Sequence, residues 1–137
     1  MTPEELTHIH QASFDAAPRP WTIAEFQFLL SAPNTHLFCG PNGFALIRTA
    51  GPEAELLTIA VHPDFRRQKI AQNLLKQLGD FARDQNISEI FLEVSAENAP
   101  ARRLYDSCGY AVSGQRKGYY TEPDGKKIDA IVMRYVV

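Results

Sequence analysis

Glu93 and Tyr105 stand twelve residues apart, the first inside the apolar run "IFLEVS" and the second in "NAPARRLYDSCGY". A carboxylate can take a proton and a phenol can give one, so the two are a candidate acid–base pair. Period-two alternation puts Glu93 on the opposite face from Leu92 and Val94, which is equally how a solvent-facing glutamate is placed. Tyr105 carries a phenol that an apolar site can hold neutral, its reference pKa being about 10. Asn98, just ahead of the second segment, offers an amide to a ligand carbonyl or a cap to the helix beginning there, and these uses are compatible. A third set is basic: Arg66, Arg67 and Lys69 crowd the start of "FRRQKIAQNLL", where a turn feeds a helix. Unpaired N–H groups and the positive dipole end favour an anion there, most simply a pyrophosphate. A solvated helix start has the same pattern, and turns that cradle phosphate usually carry glycine where this one has Lys69.

These groups need elements to hold them. Thr2-Pro3-Glu4-Glu5 is a capping box with proline at the first helical position, opening a helix with Leu6, Ile9 and Phe14 inward. A second box, Thr22 to Glu25, follows Trp21 and opens a helix through Phe26, Leu29 and Leu30. "HLFCG" and "FALIRTA" read as strands joined by a loop containing Asn42-Gly43. "AELLTIAVH" is a third strand, apolar enough to be buried on both faces, and His62-Pro63-Asp64 ends it. From Arg66 to about Arg83 the period is helical, with Ile70, Leu74, Leu78 and Phe81 on one stripe and Asn86 where a C-cap belongs. "ISEIFLEVS" is a fourth strand, and a helix between two buried strands predicts a parallel pair with a right-handed crossover. A short helix from Asn98 to Gly109 follows, with Pro100 in its first turn. "AVSGQRKGYY" and "KIDAIVMRYVV" close as an antiparallel pair across Pro123-Asp124-Gly125. The predicted class is α/β, and in an open α/β sheet ligands sit at the carboxyl ends of parallel strands. Glu93 and the basic turn both fall there.

Length and composition predict one domain over residues 1–137, with 45% hydrophobic and 22% charged residues. A formal net charge of −2 recruits neither nucleic acid nor acidic membranes, so any basic site must be local. The N-terminal "MTPEELTHIHQ" lacks the pattern of a signal peptide, and no apolar run approaches a membrane span. Cys39 and Cys108 are too few for a disulfide framework and read as reduced, mostly buried thiols of a cytoplasmic protein. His8, His10, His36 and His62 form no ligand-spaced cluster with them, so no metal is predicted.

"LLTIAVHPDFRRQKIAQNLL", "LEVSAENAPARRLYDSCGY" and "RKGYYTEPDGKKIDAIVM" together resemble the GCN5-related N-acetyltransferase (GNAT) superfamily. Within it they are similar to the RimI-type branch, the ribosomal-protein-alanine N-acetyltransferases. The similarity covers nearly all of Glu55 to Met133, and Pro20-Trp21 before a helix also fits. Tyr119-Tyr120 with Asp129-Ala130 and Met133 is its most specific part, typical of the branch that acetylates protein N-terminal amines.

The resemblance implies the GNAT fold: a mixed, mostly antiparallel sheet (α+β by some schemes) with a central splayed parallel pair and flanking helices. It implies that backbone of Ile59, Ala60 and Val61 bonds the pantetheine arm of acetyl-CoA, with the pyrophosphate on Arg66, Arg67, Gln68, Lys69, Ile70 and Ala71. Asn98 matches a coenzyme-contacting asparagine, Glu93 the general base and Tyr105 the general acid. Arg116, Tyr119 and Tyr120 fall where the branch shapes its peptide entrance, although the two tyrosines also suit core and edge positions of a strand. The implied reaction is direct transfer of the acetyl group of acetyl-CoA to a protein α-amine, most simply that of an alanine-started ribosomal protein. Two alternatives stand beside it: acetylation of a small amine or a lysine side chain, and a non-catalytic binding module with a degenerate coenzyme loop.

Two departures matter. The superfamily loop has glycine where this chain has Lys69. A positive φ there would cost about 1–2 kcal/mol and crowd the ligand with Cβ, but a helical first turn has negative φ, so Lys69 is expected to sit in it with only its side chain displaced. The family normally begins with a strand before its first helix, whereas here Thr2 caps that helix at once, so the sheet is expected to lack its first strand and to leave the strand at His36 to Gly40 on an edge. Such an edge is compatible with a monomer or a weak homodimer.

Overall fold

The computed structural model describes residues 1–13, 21–66 and 69–137. Two helices come first, α1 (Pro3–Ser13) and α2 (Ile23–Ser31). Thr2 Oγ1 accepts the Glu5 N–H at 3.1 Å ahead of α1, and at α2 the reciprocal capping box is complete, with Thr22 Oγ1 accepting the Glu25 N–H and Glu25 Oε1 accepting the Thr22 N–H. Phe14 and Pro20 lie outside the described residues.

β1 (Thr35–Gly40) and β2 (Gly43–Ala50) form a hairpin, with Asn42 at φ 55 in the turn. β3 (Glu53–Val61) pairs with β2 and ends in a single 3₁₀ turn, Pro63–Phe65. Then come α3 (Ile70–Asp84), β4 (Glu89–Ser95), α4 (Ala99–Ser107), β5 (Ala111–Thr121) and β6 (Lys127–Val136). The six strands lie in the order β1-β2-β3-β4-β6-β5, all neighbours antiparallel except β3 and β4. The expected parallel pair and the edge position of β1 are both present.

Side chains from two clusters cover the sheet. Adjacent residues of β2 belong to different clusters, Phe44 to one and Ala45 to the other, so the clusters occupy opposite faces. One joins Ile70, Leu74 and Leu78 of α3 to Leu56, Ile90, Leu92 and Met133. The other joins Leu6 and Ile9 of α1 and Phe26 of α2 to Phe44 and Ala60. The expected stripe on α3 is thus the buried one, with Phe81 half-buried against Phe38 and His36.

Three expectations need correction. α3 starts at Ile70 rather than Arg66, because Arg66 is extended (φ −70°, ψ 163°) after the 3₁₀ turn. β3 is not buried on both faces: Ala54, Leu56, Thr58 and Ala60 are buried, while Leu57, Ile59 and Val61 are half-buried. A cleft on that side takes the place of a covering layer. Cys39 is exposed rather than buried, since β1 is an edge strand, and Cys108 is half-buried at the end of α4.

Candidate active site

The parallel pair closes for only part of its length. Glu53 to Leu56 lie in register with Glu89 to Leu92, and the ladder stops there. On the other side of β3, Leu46 pairs with Thr58 and Ile47 with Leu56, so Leu57 is an extra residue. Such a bulge turns the strand and raises its twist, and β3 leaves β4 at the same point. The backbone of Leu57 to Val61 is thereby released from β4, and a cleft of about 720 Å³ opens beside it.

Of the residues expected to hold a coenzyme, Ile59, Ala60 and Val61 line one wall of this cleft. Arg66, Lys69, Ile70 and Ala71 line it at the start of α3, and Asn98 lines it ahead of α4. Arg67 and Gln68 lie outside the described residues. Lys69, the N-cap of α3, makes no side-chain cap bond; the first intrahelical bond runs from the Asn73 N–H to the Lys69 carbonyl, so the preceding N–H groups have no helical acceptor. Asn98 caps α4, its Oδ1 accepting the Ala101 N–H at 3.2 Å.

Lys69 does not adopt the expected helical conformation. It sits at φ 60°, ψ 21°, left-handed, as the N-cap of α3. A side chain in that conformation costs about 1–2 kcal/mol, which glycine avoids. Lys69 thus occupies a backbone conformation that glycine, which the resemblance implies at this position, would adopt without that cost.

Glu93 and Tyr105 both line the cleft. Glu93 belongs to β4 and is the first residue beyond the closed ladder; its side chain is 22% exposed and pairs with Arg116 Nε at 3.0 Å. Tyr105 is buried on α4. Burial first, and the neighbouring Tyr120 second, push its phenol well above the ordinary value of 10. It is therefore a neutral donor throughout the physiological range. Tyr120 is pushed up to about 12 by burial, then by Glu93 and Tyr119.

Tyr119 and Tyr120 of β5 line the same cleft, their rings edge to face at 5.2 Å. Arg116 lies over the Tyr119 ring at 5.4 Å and faces a second, smaller groove that Glu93 shares. The basic turn and the two tyrosines are thus brought to one cleft, with Glu93 and Tyr105 on it.

A buried pair escaped the sequence analysis. His10 of α1 and Thr58 of β3 line the cleft, with His10 Nε2 3.0 Å from Thr58 Oγ1. His10 Nδ1 accepts the Trp21 N–H at 3.1 Å, which makes Nε2 the protonated nitrogen and Thr58 the acceptor. Burial pushes the imidazole down to about 4, against an opposing pull from Glu25. The spacing of Leu6 and His10, one helical turn apart, carried the signal that His10 points inward.

The profile of the acetyltransferase (GNAT) family matches residues 4–110. This chain belongs to that family. The [ribosomal protein bS18]-alanine N-acetyltransferase of Escherichia coli K12 is 40% identical over 90 residues, 66% of this chain and 60% of its own length. The N-alpha-acetyltransferase RimI of Mycobacterium tuberculosis is 34% identical over 110 residues, 74% of this chain and 68% of its own length. The chain therefore spans only about 60% of the length of the Escherichia coli relative in that alignment. A crystal structure of the ribosomal-protein-S18-alanine N-acetyltransferase from Escherichia coli superposes with a TM-score of 0.86 at 31% identity, covering 98% of this chain and 87% of that one. The GNAT match includes Glu93, Tyr105 and the basic turn, while Arg116, Tyr119 and Tyr120 fall beyond its last residue.

Proposed function

We propose that this chain transfers the acetyl group of acetyl-CoA to the α-amine at a protein N-terminus, with an alanine-started ribosomal protein as the first acceptor to test. One observation carries the reading. The cleft at the opening between β3 and β4 is lined together by the start of α3, by Tyr119 and Tyr120, by the Glu93 carboxylate and by the buried neutral phenol of Tyr105. The names of the Escherichia coli and Mycobacterium tuberculosis relatives support the same chemistry.

The residues suit the thioester coenzyme. Freed backbone at Ile59 to Val61 offers an extended arm the partners that a closed ladder would use. N–H groups of α3 that lack a helical acceptor, with Arg66 and Lys69 beside them, suit a pyrophosphate. Acetyl-CoA supplies an activated acyl group, and the chain's own groups manage the protons. A protein α-amine has a reference pKa near 7.7–8.0, so much of it is protonated at neutral pH and cannot attack. Glu93 takes that proton, directly or through a water; a carboxylate accepts several hydrogen bonds, so Arg116 need not leave. Tyr105 gives a proton to the departing sulfur. N–H groups of the splayed strand are available to the developing oxyanion. Cys39 and Cys108 lie outside the cleft lining, which fits direct attack rather than an acetylated enzyme.

The left-handed Lys69 favours a second reading, a peptide-recognition module whose coenzyme loop has lost its glycine. Incubating the native chain and Glu93→Gln with acetyl-CoA and an alanine-started peptide, followed by mass spectrometry, separates the two. Acetyl on the peptide α-amine, lost in the variant, is the expected result. Transfer only to free amines or lysine side chains would replace the acceptor, and peptide binding without transfer would favour the module.

A further inference from the structure

We propose that Asp129 is a positioning residue that holds the acceptor end of the cleft in shape, an inference that rests on the acetyl-transfer reading above. β5 and β6 are in register at Arg116↔Ala130 and again at Tyr120↔Ile128. Between those pairs β5 has residues 117–119 where β6 has Asp129 alone, so two residues of β5 are extra. Gly118 takes φ 60 at the centre of this bulge. An interruption of this size strands backbone donors, and each buried one left unpaired is costly.

Asp129 supplies an acceptor for the backbone donor at the centre of the bulge and a second bond that ties Gln115 beside it. Its Oδ1 accepts the Gly118 N–H at 2.8 Å and its Oδ2 accepts Gln115 Nε2 at 2.7 Å. Its backbone carbonyl accepts the N–H of Ala96, just after β4, at 2.8 Å. One residue therefore ties the bulge to the segment that follows the strand of Glu93.

The groups beside the bulge that reach the site are Arg116, Tyr119 and Tyr120, the ones proposed for the acceptor. Arg116 stands on one side, bonded to Glu93 and lying over Tyr119; Tyr119 and Tyr120 stand on the other, at the cleft. Asp129 does not line the cleft, so its influence runs through Arg116 and the tyrosines. The coenzyme end depends on β3 and α3, which Asp129 does not contact through any of these bonds. Its loss should therefore act on the acceptor and spare the coenzyme.

The test compares Asp129→Ala with Asp129→Asn in the full chain. Asparagine keeps an oxygen for Gly118, and Gln115 can turn its amide to offer its own oxygen to the new N–H₂. With an alanine-started peptide, Asp129→Ala should lower kcat/KM at least about tenfold, since hydrogen bonds to a charged group are being lost. Acetyl-CoA affinity by calorimetry should stay within about twofold, Asp129→Asn should recover most of the rate, and exchange of the 118–120 amides should accelerate in the alanine variant only. An unchanged peptide kcat/KM in Asp129→Ala overturns the proposal. So does a parallel loss of acetyl-CoA affinity and melting temperature, or an asparagine variant as poor as alanine. Should Asp129→Ala fail to fold, Gln115→Ala removes one of the two bonds and should shift the peptide KM in the same direction; no shift overturns the idea. If the native chain acetylates no peptide, the acetyl-transfer reading fails instead, and the amide exchange still decides whether Asp129 holds the bulge.

Discussion

The two halves of the β3–β4 pair are made of the same two strands and do opposite things. In the closed half, Ala54, Leu56, Ile90 and Leu92 are no more than 5% exposed and sit in the main core. In the open half, Leu57, Ile59 and Val61 are half-buried and their backbone borders a cleft. On β3 the two halves also differ in sequence: Glu53 and Glu55 alternate with Ala54 and Leu56 in the closed half, while the open half runs Leu57-Thr58-Ile59-Ala60-Val61 without a charge. The structural difference comes from Leu57, the residue for which β2 has no partner. A one-residue irregularity on one side of β3 coincides with the loss of a whole ladder on the other. Stability should therefore be concentrated in one half and chemistry in the other.

The largest effects should come from groups on the cleft that the open half borders, Glu93 of β4 and Tyr105 of α4, and leave stability alone. Glu93→Gln and Tyr105→Phe should each lower kcat roughly 10²- to 10⁴-fold, the usual contribution of one acid or base, with little change in melting temperature. Because Tyr105 is held above its ordinary value, it should contribute no alkaline limb to the rate profile between pH 6 and 9. Steady-state kinetics beside thermal melts decides the matter. A variant that loses rate only in proportion to its loss of fold would erase the distinction between the halves.

The converse belongs to the closed half. Ile90 is fully buried and pairs with Ala54. Ile90→Ala should destabilise the chain by about 2–5 kcal/mol in denaturant unfolding through lost burial and the cavity left behind. Well below the melting point, kcat/KM should stay near the native value. A large rate loss in a folded Ile90→Ala would show that the closed half also aims the catalytic groups.

His10 sits where the halves meet, buried against the strand that leaves the ladder. Its folded-state pKa of about 4 lies below the unfolded 6.5, so the unfolded chain binds more protons between those values. Its contribution is full above pH 6.5 and is lost as pH falls toward 4, on the order of 3 kcal/mol in all. Unfolding free energy measured from pH 7 to pH 4 should fall more steeply for the native chain than for His10→Gln. Equal slopes would mean that His10 is as easily charged in the fold as out of it.

Much of this was legible in the sequence because local signals agreed with the fold. The capping boxes at Thr2 and Thr22, the apolar stripe of α3, and Pro100 and Gly109 around α4 all specify what they form. Asn86 is a further case: it takes φ 57 just beyond α3, where the N–H groups of Asn86 and Ile87 cap the carbonyls of Arg83 and Ala82. Glu93 was visible as a polar group set among apolar neighbours, and Tyr105 as a phenol on the helix that follows its strand. The bulge at Leu57 left a trace that reading β3 as buried on both faces passes over: the doubled Leu56-Leu57, where the alternation of Glu53-Ala54-Glu55-Leu56 shifts phase. The His10–Thr58 pair was not visible, since its members lie 48 residues apart and meet only through packing. Asp129 was visible as part of a motif, but its work depends on two extra residues in the opposite strand.

Lys69 is the place where local preference and fold disagree, and it supplies the smallest and most discriminating test. Both ends of α3 carry a non-glycine residue in the left-handed region, but asparagine tolerates it and lysine does not. Lys69→Gly should relieve about 1–2 kcal/mol of backbone strain while giving back about 0.4–1 kcal/mol through a freer unfolded chain. A net gain near 0.5–1 kcal/mol corresponds to a melting temperature higher by roughly 2–4 °C. Acetyl-CoA affinity should move little, within about threefold, because the backbone already has the shape glycine would give it and the lost ammonium offsets any relief. Melting curves and calorimetric titration of the two proteins read both quantities. Tightening by orders of magnitude would mean that the lysine side chain obstructs the pyrophosphate and that this loop is a blocked site. A rise in stability with unchanged affinity would mean that the open half tolerates a strained residue because its backbone, not its side chain, meets the ligand.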